Sequence, residues 1–327
     1  MPIRRPNLHP PFNLVRVAYV DGHATDLAVS KSFYVDALGF VLTEETSDAI
    51  YLRGLEERNH HSVVLRKGAA PDMTAIGFKV YEEDDLDKAA HYCNTRGLPW
   101  QFVERHAQGR TLAFRDPSGM PVELFASMDQ VPSLLRKYGV HAGARVQRID
   151  HVNCFSADVQ ASYDFWVDIG FRTTEYTATD PRDTLWSVWL HRKGNVHDIA
   201  FTSGLGPRFH HVGMWVSSVN DIIHACDVLA TTGWLPSMER GPGRHGISNA
   251  FFLYLRDPDG HRVELFTSDY LTIDPDFEPT RWDLRDPQRQ TVWGMPAPKS
   301  WFEEGSLFSG ATVGKPTLEA QPIVAPW

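Results

Sequence analysis

The chain has 327 residues, 42% of them hydrophobic, and a formal net charge of -9. This length predicts two or three domains, and the acidic balance argues against a nucleic-acid-binding surface. There is no apolar run of about 18 residues and no apolar signal core near Met1, so we expect neither a membrane span nor a secretory leader. The three cysteines do not make a disulfide framework, and they favour a reduced cytoplasm.

Taken in chain order, the first part of the chain predicts a strand, a helix, three strands, a second helix and a turn-linked pair of strands. The expected ranges before the turn are 14–20, 27–37, 49–52, 62–65, 74–80 and 83–95. The same order returns later at 148–155, 159–167, 187–191, 198–202, 210–216 and 219–231. This alternation predicts an α+β fold with mixed sheets.

The recurrence of elements is matched by an internal sequence repeat. Arg115-Asp-Pro-Ser-Gly-Met-Pro-Val-Glu-Leu-Phe125 recurs as Arg256-Asp-Pro-Asp-Gly-His-Arg-Val-Glu-Leu-Phe266. The segment Phe33–Phe40 recurs, one residue shorter, as Phe165–Phe171. Two similar units are therefore expected, at about 12–130 and 145–268.

Aligning the two units suggests a metal site in the second one. The aligned pairs are Tyr19 with His151, Ala75 with His211, and Glu123 with Glu264. A carboxylate inside an apolar strand is costly to bury without a positive partner, and two histidines with one carboxylate are typical of non-haem Fe(II) sites. Two alternatives stay open: core histidines bonded to the backbone, and His210 as the ligand in place of His211.

One stretch carries a specific motif, and it ends at the glutamate of this trio. Gly243-Arg-His-Gly-Ile-Ser-Asn-Ala-Phe-Phe-Leu-Tyr-Leu-Arg-Asp-Pro-Asp-Gly-His-Arg-Val-Glu264 resembles the signature of extradiol ring-cleavage dioxygenases of the vicinal oxygen chelate superfamily. From about residue 13 to 302 the chain further resembles the homoprotocatechuate (3,4-dihydroxyphenylacetate) 2,3-dioxygenases, for example in Trp189-Leu-His-Arg-Lys and Val196-His-Asp.

This resemblance implies a glyoxalase-like fold of four repeated βαβββ modules in two half-barrel domains. The expected division is a metal-free domain at 1–140, a catalytic metal-binding domain at 141–270, and a lid or tail over the active site at 271–327. The implied reaction is the cleavage of a catechol ring with O2, in aromatic-compound catabolism.

The resemblance also implies roles for individual residues. Fe(II), or Mn(II) in some members, would be held by His151, His211 and Glu264. The implied catalytic residues are His197, which acts as acid and base, Tyr254 and His245. The implied substrate-binding residues are Asn153, Trp189, Arg240 and Arg289. Read singly, each of these has a plainer explanation as a loop histidine, a core aromatic residue, ordinary strand polarity or a surface arginine.

Substrate choice depends on a departure from the family pattern. Arg289 is followed by Gln290, whereas the resembled family carries a second arginine that is thought to meet the substrate carboxylate. A catechol with an acidic side chain and a less charged catechol therefore remain alternatives.

The expected partners are a catecholic substrate and O2, with no nucleic acid and no membrane, and the resemblance implies a homo-oligomer, a tetramer. Two other functions compete with ring cleavage. One is a glyoxalase-like metal-dependent lyase or isomerase, and the other is a non-catalytic small-molecule-binding protein on the same fold. Redox-active iron would separate the dioxygenase from both.

Overall fold

The computed structural model describes residues 2–179 and 182–318. The first half contains eight strands and two α-helices, and a π-helical turn (Ser32–Ala37) extends the first of these helices. In chain order they are β1 (Leu14–Ala24), α1 (Leu27–Lys31), β2 (Val41–Glu45), β3 (Ala49–Arg53), β4 (Val63–Lys67), β5 (Met73–Val80), α2 (Asp84–Arg96), β6 (Trp100–Val103), β7 (Thr111–Arg115) and β8 (Pro121–Phe125).

The second half repeats this order and adds a C-terminal segment. Its elements are β9 (Arg148–Ser156), α3 (Val159–Asp168), β10 (Arg172–Thr179), β11 (Thr184–His191), β12 (Ile199–Ser203), β13 (Arg208–Trp215), α4 (Val219–Thr231), β14 (Met238–Arg244), β15 (Phe251–Arg256) and β16 (Arg262–Thr267). The C-terminal segment adds β17 (Thr280–Asp283), α5 (Lys299–Glu303) and β18 (Ser306–Leu307). Short 3₁₀ turns occur at Tyr138–Val140, Leu235–Ser237, Ile247–Asn249 and Pro287–Arg289.

Each half forms one mixed sheet. The first sheet has eight strands in the order β2-β3-β4-β1-β5-β8-β7-β6. The second runs β14-β15-β16-β13-β9-β12-β11-β10-β17, with β18 paired to β13. Each sheet divides into two βαβββ modules, so the chain contains four modules and the predicted fold is confirmed. Strands β2, β6, β10 and β14 were not predicted, and three of them lie at sheet edges, where the alternation of buried and exposed residues is weak.

The one-residue difference between the repeats has a structural consequence. The longer copy, Phe33–Phe40, contains the π-helical turn, in which the Leu38 amide donates to the Phe33 carbonyl at 3.1 Å, five residues back. A π-turn absorbs one extra residue within a helix. The sequence predicts one α-helix at 27–37, and the inserted residue explains why the second part of that helix is π-helical.

The two halves are joined by a reciprocal pair of buried contacts. The Tyr34 hydroxyl donates to Asp257 at 3.0 Å, and the Trp166 indole donates to Asp116 at 3.1 Å. Both aspartates begin the Asp-Pro-X-Gly turn of the repeat, and both aromatic residues lie at equivalent helix positions in the other half. The turn residues therefore also fasten each half to its neighbour, and one hydrophobic core runs through both.

The C-terminal segment crosses the second half and returns to the first. Strand β17 pairs in parallel with β10, β18 pairs with β13, and Phe308 forms a bridge to Met73. Between these contacts, Trp301 is buried to 7% exposure. Within the described residues, no helix combines the length and apolar character needed to cross a bilayer.

Candidate active site

Three adjacent strands bring the predicted metal ligands together. In the register of β9, β13 and β16, Gly213 stands opposite His151 on one side and Glu264 on the other. A Cβ atom at Gly213 would lie 2.2 Å from His151 Cε1, so a glycine is required to admit the imidazole. His151 Nε2 lies 2.9 Å from Glu264 Oε2, and His211 Nε2 lies 3.2 Å from the same oxygen.

A chain of hydrogen bonds sets the tautomer of His211. The Trp301 carbonyl can only accept, so His210 must donate to it from Nε2, over 2.8 Å. This leaves His210 Nδ1 as an acceptor, and His211 Nδ1 donates to it over 2.6 Å. His211 Nε2 therefore keeps its lone pair, which faces Glu264. Burial lowers the pKa of His211 to about 4, so the ring is neutral at neutral pH.

A carboxylate orients His151 in the same way. Its Nδ1 lies 3.1 Å from Asp150 Oδ2, and Lys193 Nζ lies 3.6 Å from that oxygen. Burial opposes a charge on His151, but hydrogen bonds to Asp150 and Glu264 raise its pKa to about 9. A histidine held between two carboxylates attracts either a proton or a metal ion, and a carboxylate on the far nitrogen is the usual support of a metal-bound imidazole.

These three residues fit a divalent metal by the chemistry of their donor atoms. When Asp150 and His210 accept the Nδ1 protons, three lone pairs converge, with separations of 2.9, 3.2 and 3.3 Å. Three ligands on one octahedral face, at about 2.1 Å from the metal, lie about 3 Å apart. All three side chains are buried. The structure therefore contains a buried metal site of two histidines and one glutamate.

The ligands lie on the wall of a cavity that also receives most of the other predicted site residues. Its lining consists of His151, Asn153, Trp186, Trp189, His197, Thr202, His211, His245, Ile247, Ser248, Ala250, Tyr254, Glu264, Phe266, Arg289, Gln290 and Trp301. Nine of the ten predicted site residues belong to this set, and only Arg240 does not.

His197 stacks directly on a metal ligand. Its ring centroid lies 3.9 Å from that of His151, with an angle of 36° between the planes. The side chain is buried, and its Nδ1 has no hydrogen-bond partner among the described residues. Burial, with the nearby charges of His151 and Lys193, holds its pKa well below the usual value. A neutral imidazole with a free nitrogen can take up a proton from a neighbouring group.

Tyr254 and His245 form a second polar pair on the wall. His245 Nδ1 donates to the Gln290 carbonyl, which leaves Nε2 as the acceptor for the Tyr254 hydroxyl at 3.0 Å. The imidazole stacks on Phe252 with a centroid distance of 3.8 Å. Because the Tyr254 proton is directed at His245, the lone pairs of the phenol oxygen are free to accept a hydrogen bond.

Two guanidinium groups lie close to the cavity without carboxylate partners among the described residues. Arg289 lines the cavity and donates to the Leu284 carbonyl, but its Nη1 is buried and unpaired. Arg240 donates to Thr291 and leaves Nε and Nη1 unpaired. Its guanidinium carbon lies 4.6 Å from the centre of the Trp301 ring, which lines the cavity. Burial lowers the pKa of each arginine to about 10, so both remain charged at neutral pH.

Two tryptophans of the cavity wall, Trp186 and Trp301, were not among the predicted site residues. Trp186 packs under the Arg289 guanidinium at 5.1 Å, and Trp301 reaches the cavity from α5, far beyond the repeat. Trp301 fell within the predicted lid but was not singled out. No motif marks either residue, because each acquires its position from long-range packing.

A comparison with family sequence profiles shows which family the chain belongs to. The profile of the Glyoxalase/Bleomycin resistance protein/Dioxygenase superfamily matches residues 16–124 and 148–265, one match in each half. The chain belongs to this superfamily. The match agrees with the two repeats and with the four modules, and the predicted membership of the superfamily is confirmed.

Solved structures and sequence relatives show which members of the superfamily the chain is similar to. Homoprotocatechuate 2,3-dioxygenase from Brevibacterium fuscum, in an anaerobic complex with 3,4-dihydroxyphenylacetate, is 39% identical, covers 94% of this chain and 98% of its own, and has a TM-score of 0.90. The enzyme of the same name from Arthrobacter globiformis is 38% identical over 99% of both chains, with a TM-score of 0.90. A manganese-dependent 2,3-dihydroxybiphenyl 1,2-dioxygenase from Geobacillus genomosp. 3 is 31% identical over 84% of this chain and 91% of its own. This superfamily member is an extradiol dioxygenase, an O2-dependent oxidoreductase.

Proposed function

We propose that this extradiol dioxygenase cleaves the ring of a catechol with a short acidic side chain, of which 3,4-dihydroxyphenylacetate is the reference. One observation supports this choice above the others. Arg289 presents a buried, unpaired Nη1 at the cavity wall, and among the described lining residues the one carboxylate is Glu264, which already faces two imidazoles. A buried charge without a partner is costly, and a substrate carboxylate would relieve that cost.

The metal ligands in this proposal are His151, His211 and Glu264. Fe(II) held there would supply Lewis acidity toward the catechol hydroxyls and redox chemistry toward O2, and Mn(II) is the alternative with the same ligand preference. His210 and Asp150 hold the two imidazoles in the ligating tautomer. Metal analysis of the purified protein, with activity after reconstitution with each ion, distinguishes Fe(II) from Mn(II).

His197 is the proposed acid–base residue. It is neutral, lies against His151 and has an Nδ1 atom that no described residue engages. The imidazole can therefore accept a catechol proton and return it later in the cycle. Asn153 and Trp189, both in the lining, would contact the polar edge and the face of the ring respectively.

Tyr254 is the proposed acceptor for a hydroxyl of the substrate. The hydrogen bond to His245, which is itself fixed by the Gln290 carbonyl, points the phenol proton away from the substrate. Burial is the main cause that raises the pKa of Tyr254 well above its usual value, so the phenol stays protonated. The pair therefore orients the catechol without adding a charge to the site.

Three further expectations belong to this proposal. The domains are 1–140, 141–270 and 271–327, and the third covers the cavity, with Arg289, Gln290 and Trp301 as its described contacts. The enzyme acts in the cytoplasm. It assembles as a homotetramer, which sedimentation of the metal-loaded protein would test.

The experiment is oxygen uptake by the Fe(II)-reconstituted enzyme with catechol, 4-methylcatechol and 3,4-dihydroxyphenylacetate. We expect the acidic catechol to have the highest kcat/KM and the product to be a yellow ring-opened compound. The variant Arg289→Gln is expected to lower kcat/KM for that substrate by about 10- to 100-fold, the value of a hydrogen bond to a charged group. Catechol is the matched control, and equal losses for both substrates would contradict the role of Arg289.

A less charged catechol is the second candidate, because of Gln290. This residue lines the cavity at the position where the resembled dioxygenases carry an arginine. If 4-methylcatechol proves the better substrate and Arg289→Gln changes neither value, the neutral catechol takes the place of the acidic one. Ring cleavage itself would be contradicted only by the absence of uptake with all three compounds.

A further inference from the structure

A second cluster of potential metal ligands lies in the half that lacks the catalytic site. Glu44 is the last residue but one of strand β2, His60 lies in the loop before β4, and His106 lies in the loop before β7. Glu44 Oε2 is 2.8 Å from His106 Nε2 and 3.2 Å from His60 Nε2. One ligand atom of each residue lies within 4.8 Å of the others. Donor atoms from three separate segments of the chain therefore converge on one point.

The exposure of these groups suits a metal site at the protein surface. The side chain of His60 is 10% exposed, that of Glu44 37% and that of His106 46%. One ligand is therefore held inside the protein, and two face solvent, from which an ion can enter.

A neighbouring histidine supports His60 as His210 supports His211. His60 Nδ1 lies 3.2 Å from the Nδ1 atom of His61, whose side chain is buried. When His60 donates this hydrogen bond, its Nε2 lone pair faces Glu44. The catalytic half uses the same device of adjacent histidines joined through their Nδ1 atoms. An acceptor behind a ligating imidazole fixes its orientation and raises its basicity.

The residue of the second half that is equivalent to Glu44 is covered by other side chains, so the first half alone leaves this glutamate open. Glu44 lies four residues after Phe40, as Glu175 lies four residues after Phe171. Glu175 accepts hydrogen bonds from the Tyr270 hydroxyl at 2.6 Å and the Trp282 indole at 2.5 Å, so the C-terminal segment saturates it.

No described residue of the C-terminal segment bonds to Glu44, whose side chain is 37% exposed. The two imidazoles are its partners instead. Tyr51 packs against both of them, with centroid distances of 5.5 and 4.9 Å, and forms an aromatic floor below the cluster. The nearby Arg66 is paired with Asp21 at 2.8 Å, so its charge is compensated.

We propose that Glu44, His60 and His106 form a second metal site, which takes a divalent cation of the zinc class. Two imidazoles and one carboxylate suit Zn²⁺ and its borderline neighbours, whereas Ca²⁺ and Mg²⁺ prefer oxygen ligands. Ligands at about 2.05 Å in a tetrahedron lie about 3.3 Å apart, close to the 2.8 and 3.2 Å found here. Water would complete the coordination from the exposed side, and the ion would tie β2 to the two loops.

The test uses the full-length enzyme with its catalytic site already filled by Mn²⁺, dialysed against Zn²⁺ and analysed for both metals. We expect wild type to hold about one zinc per chain more than His106→Ala or Glu44→Gln, because each variant removes one of only three ligands. His23→Ala is the matched control, since His23 lies 2.7 Å from Asp72 with comparable exposure, and no third ligand joins this pair among the described residues. This control should bind as much zinc as wild type.

Two further measurements distinguish zinc bound at this cluster from zinc that has exchanged into the catalytic site. A crystal soaked in Zn²⁺ should give an anomalous peak between Glu44 and His60, which separates this site from exchange at the catalytic one. Zinc should also raise the Tm of wild type and of His23→Ala, but not that of Glu44→Gln, a nearly isosteric change. Equal zinc content in wild type and both cluster variants, or a peak only at His151, would overturn the proposal. Either result would leave the proposed ring cleavage unaffected.

Discussion

The two halves build the same pocket between three strands and then fill it differently. In each half a glycine on the middle strand leaves room for a ring from the next strand. A Cβ atom at Gly77 would lie 2.0 Å from the Tyr19 ring, and one at Gly213 would lie 2.2 Å from the His151 ring. The backbone around this pocket is therefore the same in both halves, and the side chains alone decide what the pocket holds.

The difference between the halves lies in the partner of the buried glutamate. In the first half, Glu123 accepts from the Arg105 guanidinium at 3.0 Å and from the Tyr19 hydroxyl. In the second half, Glu264 faces His151 and His211, and no arginine reaches it among the described residues. A buried carboxylate needs positive charge. A guanidinium supplies it permanently in one half, and a metal ion held by the two histidines and the glutamate would supply it in the other.

The largest expected effect comes from removing a ligand in the second half. His211→Ala is expected to lose the bound metal and with it ring cleavage, because two ligands remain around a site built for three. Metal analysis after gel filtration measures this. His210→Ala is the control: it keeps the ligands but removes the acceptor behind His211, so metal affinity should fall by about 10- to 100-fold with stoichiometric binding at saturation. The reverse pattern would assign the ligand to His210.

The second effect concerns catalysis without metal loss. His197→Phe should retain metal and bind catechol but lower kcat by about 10²- to 10⁴-fold, the usual contribution of a general acid–base group. Stopped-flow single-turnover kinetics measure this step. The equivalent change in the first half, His61→Phe, is expected to leave turnover unchanged. Equal losses in both variants would show that packing, and not proton transfer, explains the first.

The third effect tests the arginine that replaces the metal. Arg105→Ala leaves Glu123 buried beside Tyr19 without a cation, and we expect a loss of about 3 kcal/mol in unfolding free energy. Denaturant unfolding followed by fluorescence measures it. Arg110→Ala, which removes an exposed pair with Asp87, should cost much less, because an ion pair in contact with solvent contributes little to stability. If both variants lose the same unfolding free energy, the pairing of Glu123 with Arg105 is not what distinguishes the first half from the second.

The last effect is a pH dependence that arises in the second half. Burial opposes the charge of Glu239, but hydrogen bonds from Arg262 and Arg256 lower its pKa to about 2. Since the folded pKa is depressed, the stabilisation is complete above the unfolded value of about 4.3 and is lost as pH falls toward 2. The difference in unfolding free energy between wild type and Glu239→Gln should therefore shrink across this window. A constant difference would argue against an ionised Glu239.

Much of the site was accessible to sequence reasoning because the repeat acts as an internal control. Comparing Tyr19 with His151 and Ala75 with His211 identified the ligand positions, and the strand registers reproduce that alignment. Arg105 could not be found in this way. It lies in a loop before β7, and nothing in its spacing from Glu123 indicates that the guanidinium folds back onto the carboxylate.

The sequence by itself determined the two repeated units, the paired turns and the candidate metal ligands, because these depend on local turn chemistry, on strand periodicity and on the alignment of the repeats. The four-module fold was implied by the resemblance to the extradiol dioxygenases. Only the tertiary structure decided which nitrogen of His211 faces the site, since this follows from a carbonyl at Trp301, 90 residues away. It also decided that Glu175 is covered and Glu44 is not. Contacts between distant segments leave no periodic signal, and they are what distinguishes the two halves.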